Sequence, residues 1–514
     1  MKDIPEIQTG VKPMKPAALN QHSQEIELKL ALPSSDPSSL AKRLARVPVL
    51  ARRKPTHQQL HNVYYDTPEQ ILRKKCVALR TRRVDSGAKP QWLQTLKTGG
   101  RGDSALSQRG EWEVPVPSET LTLDGLTDTP WSMIDPDGKL FEALAPSFVT
   151  TFERTSWSVR RRDGSVIEVA LDLGHIVAGD KKAPICELEL ELLEGQPSAL
   201  FDLAQQIART IAVVPENMSK AERGYALALG CQDKPLGAKP PKLASNLSLA
   251  ATAGRVLREM FCQFTTNLNA LRTSDDPEVV HQARVGWRRF RSALRLFKPA
   301  LAVDTVPSWQ ALQPLLSFLG ELRDIDVARI DTLPPLMDAY TAGDARRTDA
   351  WQAMTLALLQ AANLQRKSVR YALHEPTVGA TLLAATQWLE ELSAPTGPID
   401  AGIERKVSLK GWARRRIVRL HKQLKLAGKD QSSPDGQHRV RILAKRTRYG
   451  IEALRNLLPK RRAKRWYQQA ASLQQSLGAA RDVMQAGVLA ARLEADRGLV
   501  EFLRGVAVGE SRLG

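Results

Sequence analysis

Between residues 24 and 193, apolar and polar residues alternate with a period of two. The clearest runs are 24–30 (QEIELKL), 77–82 (VALRTR), 94–98 (QTLKT), 108–114 (QRGEWEV), 149–159, 166–174 (VIEVALDLG) and 185–192 (ICELELEL). Successive side chains of a strand point to opposite faces, so this pattern predicts strands separated by Gly, Pro and Asp turns. Short helices are predicted over 38–44, 197–211 and 219–229. Residues 231–246 (CQDKPLGAKPPKLASN) are rich in Pro, Gly and Lys, have no period, and read as a linker. From residue 247 to 512 the apolar spacing becomes three and four, and the chain reads as helical. The expected fold is α+β and multidomain: a β domain with flanking helices over 23–230, the linker, and an all-α domain over 247–514. Residues 1–22 carry no apolar stretch of the kind a leader needs and read as a disordered lead-in.

The polar strand faces are strongly charged. Glu25, Glu27 and Lys29 share a face opposite Ile26, Leu28 and Leu30, and Glu187, Glu189 and Glu191 share one opposite leucines. Glu168 and Asp172 lie together. Arg80 with Arg82, Lys97, Arg154, and Arg109 beside Glu111 and Glu113 supply basic counterparts. Strand by strand, a sheet with one solvated face explains this. Taken together, however, like charges about 7 Å apart repel unless a cation sits between them. Divalent cations take carboxylate and phosphate oxygens, while Arg and Lys pair with phosphate. A sheet closed with these faces inward would hold a small, highly charged phosphate ester or anhydride, its apolar faces covered outside by helices.

Charge sharpens the division of the chain. The net charge of +20 in 514 residues is carried by the second half: 45 Lys and Arg against 26 Asp and Glu from Cys231 onward, and 30 against 29 before it. Such an excess calls for a polyanionic partner. Cys76, Cys186, Cys231 and Cys262 are scattered, which argues against a disulfide framework or a structural zinc site. No membrane span is expected, and a reducing cytoplasm fits.

The strand motifs have a family resemblance. EIELK (Glu25, Glu27, Lys29) matches the ExExK signature of the CYTH, or triphosphate tunnel metalloenzyme, superfamily. It is followed in order by YYDTP (64–68), LRTR (Arg80, Arg82), TLK (Lys97), RGE (Arg109, Glu111), FER (Arg154), ALD (Asp172), CELELEL (Glu187, Glu189) and SKAERG (Lys220, Arg223). Over 24–229 the chain resembles a CYTH domain. The resemblance implies an antiparallel eight-stranded tunnel that takes a triphosphate end-on. It implies that Glu25, Glu27, Glu187 and Glu189, assisted by Asp172, ligate Mg²⁺ or Mn²⁺. Lys29, Arg80, Arg82, Lys97, Arg109, Arg154 and Lys220 would neutralise phosphate oxygens, with Lys29 and Lys220 acting on the reacting group. The implied reaction is hydrolysis of inorganic triphosphate to pyrophosphate and phosphate. Class IV adenylate cyclases and thiamine triphosphatases belong to the same superfamily. Tyr64, Tyr65 and Trp112 are candidates to stack on a base, but read first as packing residues.

The helical half repeats itself. His281, Arg284, Arg288 and Arg291 have the spacing of His438, Arg441, Lys445 and Arg448, and LGELRD from Leu319 is matched by LGAARD from Leu477. Offsets of 157 and 158 residues point to a duplication. Each basic set falls on one helical face with little balancing Glu; a solvated face is the plain reading, a missing anion the sharper one. Arg323 and Arg481 either contribute to the stripes or pair with Asp324 and Asp482 in packing, which is the favoured reading, and Arg414–Arg416 and 460–465 read as general basic field. Over 247–512 this resembles the CHAD, or conserved-histidine α-helical, domain, which implies two pseudo-symmetric bundles whose stripes bind inorganic polyphosphate. Few aromatics make nucleic acid the less favoured polyanion. Attachment to polyphosphate granules is the corresponding cellular expectation. The alternatives are a non-catalytic polyphosphate scaffold and a cyclase or organic triphosphatase.

Overall fold

A computed structural model describes the chain except residues 1–22, 88, 100–103, 245, 302–304, 394–407, 430–432, 477 and 514. The lead-in and Leu477 of the second repeat motif therefore lie outside the described residues. Among the described residues nine strands form in chain order: β1 (Ser23–Ala31), β2 (Thr56–Asp66), β3 (Val77–Asp85), β4 (Gln91–Thr98), β5 (Leu106–Val116), β6 (Ala145–Arg160), β7 (Val166–Ala178), β8 (Lys181–Glu194) and the short β9 (Val214–Pro215). Their order is β5-β4-β3-β2-β6-β7-β8-β1, and β1 also pairs with β5, so eight antiparallel strands close into a barrel with β9 appended to β1. Closure removes the unpaired edges an open sheet would expose.

Seven of these strands follow the alternating runs. β2 has no counterpart among them, because its two faces are chemically mixed. Its inner face carries Leu60, Asn62 and Tyr64, and its outer face carries Gln59, His61 and Val63, so no period of two survives.

The apolar outer faces are covered as expected. Leu28, Leu30, Leu171, Leu188 and Leu190 pack under helices Leu40–Leu44 and Ser198–Ala208. On the other side, Leu79 and Leu96 pack against Trp131 and Leu140 of two short helices. The inner face is not charged throughout. Toward one end it turns apolar at Phe148, Phe152, Ile176 and Ile185, and helix Lys220–Ala228 caps that end with Tyr225 and Leu227. Gly224 lets this helix approach: a Cβ there would lie 2.1 Å from a ring carbon of Phe148. Gly224→Ala is expected to cost at least about 1–3 kcal/mol of stability through overpacking. The check is a lowered midpoint of thermal unfolding.

Residues 231–244 have no regular structure, but they are fastened down rather than free. Leu236 exchanges backbone hydrogen bonds with the Asn267 side chain, Lys239 O accepts from Arg289, and Pro241 O accepts from Asn456. Beyond them the chain is helical, beginning with Leu249–Ala270 and Pro277–Phe297 and ending with Arg497–Leu513. Among the described residues no helix is long and apolar enough to cross a membrane.

Candidate active site and anion-binding face

A cavity of about 1750 Å³ runs from the barrel interior to the helical domain, and Glu25, Glu27, Lys29, Arg80, Arg82, Lys97, Arg109, Arg154, Glu189 and Lys220 all line it. The pairing register explains the convergence. Arg154 lies opposite Asp172, Asp172 opposite Glu187, and Lys29 opposite Glu189, so four neighbouring strands present these side chains at one level.

Two ionic clusters result. In the first, Asp172, Glu187 and Glu189 bring carboxylate oxygens within 4.8 Å of one another. Lys220 Nζ stands among them, 2.7 Å from Asp172 and 2.9 Å from Glu189, and also paired with Glu187. Arg154 donates to both oxygens of Asp172 at 2.7 and 2.6 Å and to Glu189 at 2.6 Å. Arg223 donates to Glu187 at 2.7 Å. Burial would raise the Glu189 carboxyl, but Lys220 and Arg154 hold it well below the usual carboxylate range. Burial likewise opposes the charge on Lys220, and Asp172, Glu187 and Glu189 overcome it and raise its pKa.

The second cluster is built around Glu25 and Glu27 of β1. Glu25 accepts from Lys97 at 2.8 Å and from Arg109 at 2.7 Å, while Glu27 accepts from Arg109 and pairs with Lys29 at 2.6 Å. Glu25 and Glu27 thus line the same tunnel as the carboxylate trio but keep their own cations. Glu111 joins this cluster through Lys97 at 2.9 Å and Arg80 at 3.8 Å, and Glu113 accepts from Thr95. Arg82 is held by Asn62 Oδ1 at 2.8 Å. Burial and the neighbouring Glu25 push the Glu191 carboxyl up to about 7. Asn62 and Arg223 are positioning groups that alternation could not single out.

Tyr64 stacks on Phe148 with ring centroids 4.6 Å apart and accepts from Arg80. Tyr65 donates to the Glu119 carbonyl. Both are engaged in packing, as the sequence suggests.

The basic stripes lie on helices Pro277–Phe297 and Pro434–Ala453, which pack together. Burial, together with Arg441, Arg288, Arg481 and Arg448, depresses the Lys445 ammonium to about 8. Charges from both repeats therefore act on one spot. Arg284 and Arg441 are likewise lowered, by burial and by nearby guanidiniums. At the ends of the stripes Arg291 lies over Trp287 and Arg448 over Tyr449. The two histidines are not equivalent: His281 is half-buried, with its pKa lowered by burial and Arg323, whereas His438 is exposed. Arg323 pairs with Asp331 at 3.3 Å rather than with Asp324. Arg481 faces the stripe through its effect on Arg441 and Lys445. Arg414, Arg461, Arg462 and Arg465 border a separate, smaller cleft.

Comparison with known proteins finds two family matches along the chain. The CYTH domain family model matches residues 23–225 and the CHAD domain model residues 255–491. The chain is 38% identical over 210 residues to the inorganic triphosphatase of Haemophilus influenzae, a match covering 40% of this chain and 55%, about half, of that protein. The crystal structure of the CHAD domain from Ricinus communis is 26% identical, with a TM-score of 0.46, covering 54% of this chain and 92% of that one. A putative adenylyl cyclase from Hippeastrum, described as having a dominant triphosphatase activity, is 18% identical with a TM-score of 0.27, covering 40% of this chain and 96% of that one. The chain carries a CYTH domain over residues 23–225 followed by a CHAD domain over residues 255–491.

Proposed function

We propose that the tunnel hydrolyses inorganic triphosphate to pyrophosphate and phosphate with Mg²⁺ or Mn²⁺, and that the helical domain binds inorganic polyphosphate. The observation that carries this reading is the packing of Asp172, Glu187 and Glu189 within 4.8 Å, surrounded by Lys220, Arg154 and Arg223 inside a closed barrel. An all-oxygen, trianionic donor set of this size suits a hard divalent cation. Asp172, Glu187 and Glu189 would hold one ion, and Glu25 and Glu27 face the same cavity for a second. Such an ion would draw charge from phosphate oxygens and lower the pKa of a water.

The chain's own groups do the remaining work. Arg80, Arg82, Lys97 and Arg109 line the cavity and can exchange their carboxylate partners Glu111, Glu113 and Glu25 for phosphate oxygens. Arg154 holds Asp172 with both of its oxygens engaged, fixing the carboxylate's orientation. Lys29 and Lys220, both buried, would stabilise the charge that develops on the leaving and transferred groups. Tyr64 is committed to Phe148 and Arg80, which favours a bare phosphate chain over a nucleotide.

The inorganic triphosphatase of Haemophilus influenzae supports the substrate. Phosphate release measured side by side on inorganic triphosphate, long polyphosphate, ATP and thiamine triphosphate, with and without Mg²⁺ or Mn²⁺, tests the reading. Metal-dependent release, fastest on triphosphate, is expected. Release that ignores the metal, or none on any substrate, would point to a polyphosphate-binding scaffold instead.

A further inference from the structure

The segment leading from β9 into helix Lys220–Ala228 is gripped from both sides. On the barrel side, Leu30 and Ala31 pair with Pro215 and Val214, and Glu216 N–H donates to Lys29 O at 3.0 Å. These contacts fall beside Lys29 itself. On the other side the grip comes from the helical domain. Asn269 donates to Pro215 O at 2.8 Å and Asn217 donates to Thr265 Oγ1 at 2.8 Å and Thr266 Oγ1 at 3.1 Å, while Arg272 donates at 3.1 Å to the carbonyl of Leu32, just past the end of the neighbouring strand β1.

Two residues beyond Asn217, a capping box between Ser219 and Glu222 starts the helix that delivers Lys220 to the carboxylate trio and Arg223 to Glu187. Arg272 also faces the buried Glu216, whose carboxylate accepts from Met218 N–H at 2.9 Å. The cavity wall runs on without a break from Lys220 and Asn217 to Cys262 and Thr266 of the helical domain.

We infer that the helical domain is a working part of the tunnel: Asn217, Asn269 and Arg272 are positioning residues that set the start of helix Lys220–Ala228, and so the placement of Lys220 and Arg223 among the carboxylates. The inference rests on the proposed role of the tunnel for its effect on catalysis, but its structural content is independent of the substrate. Each of these four hydrogen bonds is individually modest, about 1 kcal/mol. Their leverage comes from geometry, since a small misplacement of a group that must meet developing charge costs rate steeply.

The test uses the full-length chain with Asn217→Ala, Arg272→Met and their double variant, and Arg272→Lys as the conservative partner. Amide hydrogen exchange over residues 214–228 is followed together with triphosphate kinetics. Exchange in 214–228 is expected to quicken in both single variants, most in the double, while barrel strands β3 and β4 stay unchanged. On triphosphate, kcat is expected to fall about tenfold in the double variant with KM altered far less, and Arg272→Lys to recover part of it. Polyphosphate binding to the helical domain should be unaffected. Unchanged exchange over 214–228 in the double variant overturns the positioning role whatever the enzyme turns over. Faster exchange in a chain whose wild type hydrolyses no triphosphate leaves the positioning role standing and overturns the triphosphatase reading instead.

Discussion

Replacing Glu187 by Gln is expected to lower metal-dependent triphosphate hydrolysis by about 10²–10³-fold while leaving polyphosphate binding intact. The substitution keeps shape and removes one charge. Glu187 is 1% exposed, paired with Lys220 on one oxygen and with Arg223 at 2.7 Å on the other. With an amide there, the trio keeps two carboxylates, Lys220 loses one of three anionic partners, and Arg223 keeps only a neutral acceptor and the Pro184 carbonyl. A hard cation prefers anionic oxygen, so the concentration of Mg²⁺ or Mn²⁺ needed for half-maximal rate should rise along with the fall in kcat. Measuring both separates loss of the ion from loss of Lys220 placement, because the second would lower kcat at saturating metal alone. A rate within about threefold of wild type at low metal would remove Glu187 from the metal-binding set, since losing even an outer-layer partner of a metal site typically costs 10–100-fold.

Much of this site could be read from the chain because the tunnel's inner face is made of strands. A period of two announces every second residue, so Glu25, Glu27, Lys29, Arg80, Arg82, Lys97, Arg109, Arg154, Asp172, Glu187 and Glu189 were all visible as members of charged faces. What alternation cannot give is register. That Asp172, Glu187 and Glu189 form one cluster while Glu25 and Glu27 form another follows from which residues face each other across β7, β8 and β1. β2 escaped because its inner face mixes Leu60 and Tyr64 with Asn62, the outcome of lining a charged tunnel at one end and meeting an apolar helix at the other. In the helical domain the repeat exposed both stripes but not the roles of their members. Arg289, one residue beyond Arg288, is fully buried and bonded to Glu452, Gln263 and the Lys239 carbonyl, a strut between the two repeats rather than part of the basic stripe. Asn217 and Arg272 had no local signal, since their partners lie 48 and 240 residues away.

The second large effect is expected at Lys445, where binding and stability should move in opposite directions. Its ammonium is depressed to about 8 by burial and by Arg441, Arg288, Arg481 and Arg448. A lysine whose pKa is lower folded than unfolded opposes folding while it is charged. The unfolded chain then binds more protons between about pH 8 and the ordinary lysine value, so the domain gains stability as pH rises through that window. A polyanion reverses the balance: phosphate oxygens satisfy the crowded cations and return the Lys445 pKa toward normal. Polyphosphate binding should therefore take up a proton above about pH 8, and affinity should fall from pH 7 to pH 9.5. Lys445→Met removes the crowding and the titration together. It is expected to raise the unfolding midpoint at pH 7, flatten the pH dependence of binding, and reduce the slope of log K against log salt by about 0.7. The double reversal Arg288→Glu with Lys445→Glu should weaken binding by at least about 10²-fold, as like charges come to face the polyanion. Fluorescence anisotropy with labelled polyphosphate across pH and salt, beside thermal unfolding of the same variants, reads all of these. If Lys445→Met binds polyphosphate as tightly as wild type, with the same pH and salt slopes, the converging stripes are not where the anion sits.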